Sequence, residues 1–532
     1  MPASGPEPAP AGAVGVWVPG RRLLTVGLIL LITFVAAEAL AVATVMPTVE
    51  QDLGDLGLYG WVFSGFFLGS LLGIVVAGRA SDRMRPVIPF AVGLALFIVG
   101  LVLAGTASSM PVLVAARVLQ GIGAGALPTV AYVAIGREYP PSARPRMFAL
   151  LSTAWVVPSL VGPGAAAVVG EHFGWRWVFL GLIPLVLVCG IGVMGSVGRI
   201  GTVSSSVAGH SGSVVPAASA APAATADEPG STASAASVDE PVDAGGRADL
   251  RDVAVLTFGA GLTLWGLERH QLLLAVGATA VGLALLVPAF RRLTPPGTLS
   301  ARPGLPAAVL IRGMLTFSFF GADAFITLSL TSVRGTSLGF ASVAVTVCSL
   351  TWTAGSWTQE RLLARRGPRP LVRGGLGLVG AGIALMMVTL LPGVPVALGI
   401  VAWGVAGLGI GMAYSPLSVT ALAEAGHGQE GTATAGLQLS DVLGIALGTG
   451  LAGVIVAVGE RAGWAPRPAL LIVMAMALSM SVFGASLVGR LPRQVIPDED
   501  GEHHALDEFV AGAAPQPPWP VETESSSQTP HN

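Results

Sequence analysis

The apolar residues of this chain come in continuous runs, and runs of about 20 residues recur along most of its length. A run that long crosses a ~30 Å hydrocarbon core as an α-helix, whereas a spanning β-strand needs only ~10 alternating residues. Stretches such as 23–37 and 87–104 do not alternate, so they predict helices. Lipid offers backbone amides no partner, and a helix satisfies them within the segment. The pattern predicts fourteen spans, at 23–47, 58–78, 87–107, 111–135, 147–170, 176–197, 252–268, 271–290, 305–330, 337–356, 371–391, 394–417, 433–457 and 468–489.

Two stretches break the pattern. Residues 198–249 are rich in Ala, Ser, Gly, Val and Pro, which predicts a flexible, disordered cytoplasmic linker. Residues 494–532 are acidic and then Pro- and Ser-rich, which predicts a disordered cytoplasmic tail; His503 and His504 lie there as solvated side chains. The first apolar run is too long for a signal peptide and lacks a small-residue cleavage pattern, so it is expected to stay as a helix.

Composition supports the membrane reading. Hydrophobic residues make up 53% of the 532 and charged ones 11%, against roughly 25% charged in soluble domains. The net charge of −2 says little about partners. Every basic residue is Arg, and the arginines test the span count. With residues 1–22 as a cytoplasmic N-terminal segment, 21 arginines fall on the cytoplasmic side and 5 on the other, while Arg117 and Arg312 lie inside spans. That asymmetry obeys the positive-inside rule and predicts two cytoplasmic termini. Cys189 and Cys348 lie in apolar runs and read as core thiols.

The chain also resembles itself. GIGAGALP at 121–128 in the fourth span answers GLGIGMAYSP at 407–416 in the twelfth. AEALAVAT at 37–44 in the first answers ADAFITLS at 322–329 in the ninth, each with one carboxylate, Glu38 or Asp323. Asp82-Arg83 after the second span answers Glu360-Arg361 after the tenth. Spans 1–6 therefore map onto spans 9–14, with two inserted helices between. The expected units are a six-helix bundle at 23–197, two inserted transmembrane helices within 250–292 and a second six-helix bundle at 305–490. Two such bundles about an axis along the membrane normal are an alternating-access plan.

Four motifs resemble those of the major facilitator superfamily, and the fourteen-span count resembles its drug:proton antiporter branch. GRASDRMR at 78–85 matches the loop pattern G-x-x-x-D-R-x-G-R at Gly78, Asp82 and Arg83, with Arg85 in place of the family glycine. RVLQGIGAG at 117–125 matches R-x-x-x-G-x-G. PSLVGPGAAA at 158–167 shares Gly162 and Pro163 with the antiporter motif G-x-x-x-G-P-x-x-G-G, and a Gly-Pro pair kinks a helix. WRWVF at 175–179 resembles the opening of the sixth helix in drug exporters, with Trp175 and Trp177 suited to an interfacial belt. The resemblance implies an all-α major facilitator fold. It implies conformational gating by Gly78, Asp82, Arg83, Gly121, Gly125, Gly162 and Pro163.

Charges inside a membrane are costly and usually functional. Glu38, Arg117, Arg312, Asp323 and Asp441 fall within spans. Glu38 lies ~24 Å and Asp323 ~27 Å along their helices, in the outer half with Arg117, so Glu38 and Arg117 can pair. Asp441 lies nearer the cytoplasm, and Arg312, two turns into its span, is expected to snorkel towards water. A carboxylate whose surroundings change as a cavity opens and closes can take up a proton on one side and release it on the other. The proton-coupling and cavity residues expected are therefore Glu38, Arg117, Asp323 and Asp441, with Glu38 the first choice and Asp323 the second.

These features predict a secondary active transporter of the cell membrane, exchanging protons for small hydrophobic or cationic compounds. Export of an endogenous lipid or secreted metabolite is an alternative, and a non-transporting scaffold or sensor is another. No H-E-x-x-H, Walker A loop or G-x-S-x-G elbow is present in the sequence, so no enzyme, metal or cofactor is expected. The expected partners are a small-molecule substrate, protons and membrane lipids, without nucleic acid, and the protein is expected to be a monomer.

Overall fold

The computed structural model describes residues 17–18, 21–139, 147, 150–151, 154, 156–197, 250–425 and 430–494. Among the described residues fourteen helices follow one another: α1 (Arg22–Leu53), α2 (Tyr59–Arg83), α3 (Val87–Gly105), α4 (Met110–Glu138), α5 (Val156–His172), α6 (Arg176–Val197), α7 (Leu250–Leu267), α8 (Leu272–Leu293), α9 (Leu305–Val333), α10 (Leu338–Arg366), α11 (Pro368–Thr389), α12 (Leu398–Ala423), α13 (Glu430–Arg461) and α14 (Pro466–Leu487). Each answers one predicted span. Thirteen are long and apolar enough to cross a membrane; α5 is described over 17 residues only. No strand occurs among the described residues. The predicted linker at 198–249 and the tail beyond 494, with His503 and His504, lie outside the described residues.

The packing repeats as the sequence does. In the first half α2 and α3 pack on α4, and α1 packs on α5 and α6. In the second half α10 and α11 pack on α12, and α9 packs on α13 and α14. The repeated glycines explain the match. Gly121 of α4 sits against the Phe66 carbonyl of α2, and Gly407 of α12 sits against the Cys348 carbonyl of α10. A Cβ at either position would overlap that oxygen, so only glycine allows this approach.

The halves meet through α2 with α13 and through α5 with α10. An even number of spans puts the start of α1 and the end of α14 at one end of the bundle, here called the termini end, and the inter-half contacts described next lie at the other, far end. There Tyr59 lies over Phe325 with ring centroids 5.0 Å apart. The Gly339 N–H at the start of α10 donates to the Glu171 carboxylate at 3.1 Å. Buried residues from both halves, Val45, Leu328, Leu338 and Val456 among them, share one core. The far end is therefore sealed.

Helices α7 and α8 form a hairpin laid along the α2–α13 seam. Leu256 and Ala260 of α7 and Leu286 and Phe290 of α8 share a core with Leu68 and Leu71 of α2 and Leu439 and Leu443 of α13. At the far end the hairpin touches both halves. Trp61 Nε1 donates to Glu268 Oε2 at 3.0 Å, and the Arg461 guanidinium donates to the Glu268 carbonyl.

Candidate functional site

Three carboxylates and two guanidinium groups lie between the helices of the described spans. Each carboxylate has a different partner.

Glu38 of α1 is 1% exposed and Arg117 of α4 is 2% exposed. They form an ion pair through Glu38 Oε1 and Arg117 Nη1. Arg117 Nη1 also donates to Gln120 Oε1 at 2.7 Å, and its Nε donates to the Val62 carbonyl at 3.3 Å. Its guanidinium carbon stands 4.2 Å from the Phe66 ring centroid. This placement follows from local sequence. Gly121 draws α4 onto α2 at Phe66, and Arg117 lies one helical turn before Gly121. Glu38 Oε2 and Gln120 Nε2 are buried and have no hydrogen-bond partner.

Asp323 ends the regular part of α9 at Leu305–Asp323. The chain then turns, resumes as Ile326–Leu328 and closes in a π-helical turn at Ser329–Val333. Such turns are rare and often mark functional sites. Asp323 Oδ1 accepts a hydrogen bond from Trp403 Nε1 of α12 at 2.8 Å. Trp403 is fully buried and stacks on Phe319, with centroids 5.5 Å apart and planes at 18°. No guanidinium pairs with Asp323 among the described residues.

Asp441 of α13 pairs with Arg312 of α9. Arg312 Nε donates to Asp441 Oδ1 at 2.8 Å, and Tyr414 Oη donates to Asp441 Oδ2 at 2.9 Å. Arg312 Nη1 donates to the Tyr414 carbonyl at 2.6 Å and to Ser418 Oγ at 3.2 Å. This corrects the expected snorkelling. Arg312 is 2% exposed and turns inward, because its ion pair and two further hydrogen bonds offset its desolvation.

The remaining predicted residues lie along the seams and the termini end. Gly78 and Arg83 are in the last turns of α2, and the Asp82 side chain lies outside the described set. Arg137 Nη2 ties α4 to that turn by donating to the Ser81 carbonyl at 2.8 Å. Gly125 sits against the Ser70 carbonyl of α2. Gly162 faces Leu40 at an ordinary 4.0 Å, and α5 runs as helix through Pro163. Trp177 is exposed, whereas Trp175 is 3% exposed and donates to Asp52 Oδ2 at 3.0 Å, which removes it from the expected belt. Arg176 donates to the same oxygen at 2.7 Å, so the motif braces α1 against α6.

Sequence reasoning missed Gln120, Trp403, Tyr414 and Ser418. Trp403 carried a signal. It stands four residues before Gly407, as Arg117 stands four before Gly121. No group of three or more His, Cys, Asp or Glu side chains could hold a metal among the described residues. The arrangement suits holding and moving charge within an apolar wall.

Known proteins resemble this chain in sequence and in fold. The sequence profile described as Major Facilitator Superfamily matches residues 26–449. "Multidrug resistance protein 3" of Bacillus subtilis (strain 168) is 31% identical over 164 residues, covering 31% of this chain and 32% of that protein. The match thus spans about a third of that relative's length. A "Probable multidrug-efflux transporter" of Mycobacterium tuberculosis (strain H37Rv) is 27% identical over 426 residues, covering 78% of this chain and 83% of its own. Among solved structures, the POT family transporter PepTSo superposes with a TM-score of 0.59 at 13% identity, over 87% of this chain and 97% of that one. A D-xylose-proton symporter superposes with a TM-score of 0.57 at 13% identity, over 89% and 98%. At such identities the two structures speak for the fold alone.

Proposed function

The chain belongs to the Major Facilitator Superfamily, and from that premise we propose that it exports small hydrophobic or cationic compounds in exchange for protons. It is a multi-pass membrane transporter of small molecules, not an enzyme. Proton exchange is supported by one observation: among the described residues, three carboxylates, Glu38, Asp323 and Asp441, are set among the helices with two guanidinium partners, Arg117 and Arg312. A chain that needed only packing would do as well or better with apolar residues in their place. One unbalanced acid is what a proton carrier requires, since it is neutral with its proton and charged without it.

The sealed far end supports alternating access. With arginines retained on the cytoplasmic side, the termini end faces the cytoplasm of the plasma membrane and the far end faces outward. The state described is then closed to the outside. A compound enters from the cytoplasm, the two bundles rock about their seams, and it leaves at the far end while protons return. The multidrug-efflux relatives support the class of cargo.

Ethidium accumulation in inside-out vesicles carrying the full chain tests this. An imposed pH gradient, acid inside, is expected to drive uptake, and collapse of the gradient to stop it. Uptake that ignores the gradient would remove proton exchange.

A further inference from the structure

The two halves repeat one buried couple with different chemistry. Glu38 and Asp323 are each the middle residue of an Ala-acid-Ala triplet, at 37–39 and 322–324. Arg117 and Trp403 each stand four residues before the first of three spaced glycines. Each acid bonds the matching partner, Glu38 to Arg117 and Asp323 to Trp403. In the first half the partner is a cation; in the second it is an indole, which donates one hydrogen bond and carries no charge.

This difference decides what each acid can do. An ionised Glu38 with Arg117 is net neutral, and so is an ionised Asp441 with Arg312. An ionised Asp323 leaves one uncompensated negative charge in the wall. Among the described residues, the groups that face it are the Trp403 indole from α12 and the Cys348 thiol from α10. Helix α13 approaches this part of α9 with Gly448, beside Gly321. Asp323 is also less sealed, being only partly buried where Glu38 is 1% exposed.

We propose that Asp323 carries the transported proton and that Trp403 is its positioning residue, while the Glu38–Arg117 pair is the fixed counterpart. The assignment rests on the proton-exchange reading but not on the identity of the cargo. In each cycle the Asp323 carboxylate takes a proton from water on the open side and becomes a neutral carboxyl. The same proton returns to water on the other side after the bundles rock. Trp403 keeps its own N–H throughout. Its ring is fixed by stacking on Phe319, which Trp352 meets edge-on at 5.5 Å, so the N–H stays aimed at Oδ1.

Infrared titration of the full chain in lipid reads this directly through the stretch of a protonated buried carboxyl group. The wild type is expected to gain that band as pH falls. Asp323→Asn is expected to abolish it, and Glu38→Gln to keep it. Trp403→Arg is expected to abolish it as well, although the acid remains, because the guanidinium recreates the first half's ion pair. Trp403→Phe keeps the ring and removes the donor; it is expected to leave the amplitude and displace the profile by about one pH unit. A band that survives Asp323→Asn, or that vanishes with Glu38→Gln, overturns the assignment. A profile unmoved by Trp403→Phe overturns the positioning role. If ethidium exchange fails in the wild type while the band behaves as described, the exporter reading falls and the proton site stands.

Discussion

Gly60 of α2 and Gly453 of α13 lie backbone against backbone at the far end, with no room for a Cβ on either. The contact belongs to the seam between the halves, so a side chain there must part them. Overpacking costs about 1–3 kcal/mol, and here the strain falls only on the sealed state. Gly453→Leu is expected to depopulate that state and slow turnover. Spin labels at positions 173 and 391, where Phe173 and Leu391 are exposed at the far end of opposite halves, are expected to report a longer mean distance.

The Arg312–Asp441 couple makes a stability prediction. Asp441→Ala leaves Arg312 buried without its carboxylate and is expected to cost about 3–5 kcal/mol. Thermal unfolding in detergent should show the loss. Arg312→Met combined with Asp441→Leu is expected to recover most of it, since no buried charge then remains. Equal destabilisation by the single and the double substitution would show that the pair is not what holds α9 on α13.

The α7–α8 hairpin makes a third prediction. Trp61→Phe keeps the ring and removes the N–H that reaches Glu268. One hydrogen bond contributes about 1 kcal/mol, so the ratio of far-end-sealed to far-end-open molecules is expected to fall a few-fold in the same spin-label measurement. Leu273→Ala, at a position 87% exposed on the hairpin, is expected to change nothing.

Much of the fold was legible because hydrophobic length alone decides a membrane span, and glycines, intramembrane acids and loop charges recurring in the same order revealed the repeat. Depth could be counted residue by residue, and it placed Glu38 near Arg117. Direction around a helix could not be counted. The sequence alone therefore sends Arg312 towards water, although Asp441, 129 residues on, faces it. Composition cannot tell an indole facing lipid from one bonded to Asp52, so from sequence Trp175 reads as a belt residue. Trp403 was within reach of the sequence: carrying the glycine alignment back by one turn sets it opposite Arg117. That Asp323 would have no cation beside it depends on three-dimensional neighbours and could not be read beforehand.

Proton movement on addition of cargo tests the central claim most directly. Full-chain proteoliposomes loaded with a pH-sensitive dye are given ethidium with no gradient imposed. The internal pH is expected to change on addition, in proportion to the ethidium transported, and not to change with Asp323→Asn. Ethidium crossing with the internal pH unmoved would contradict proton exchange.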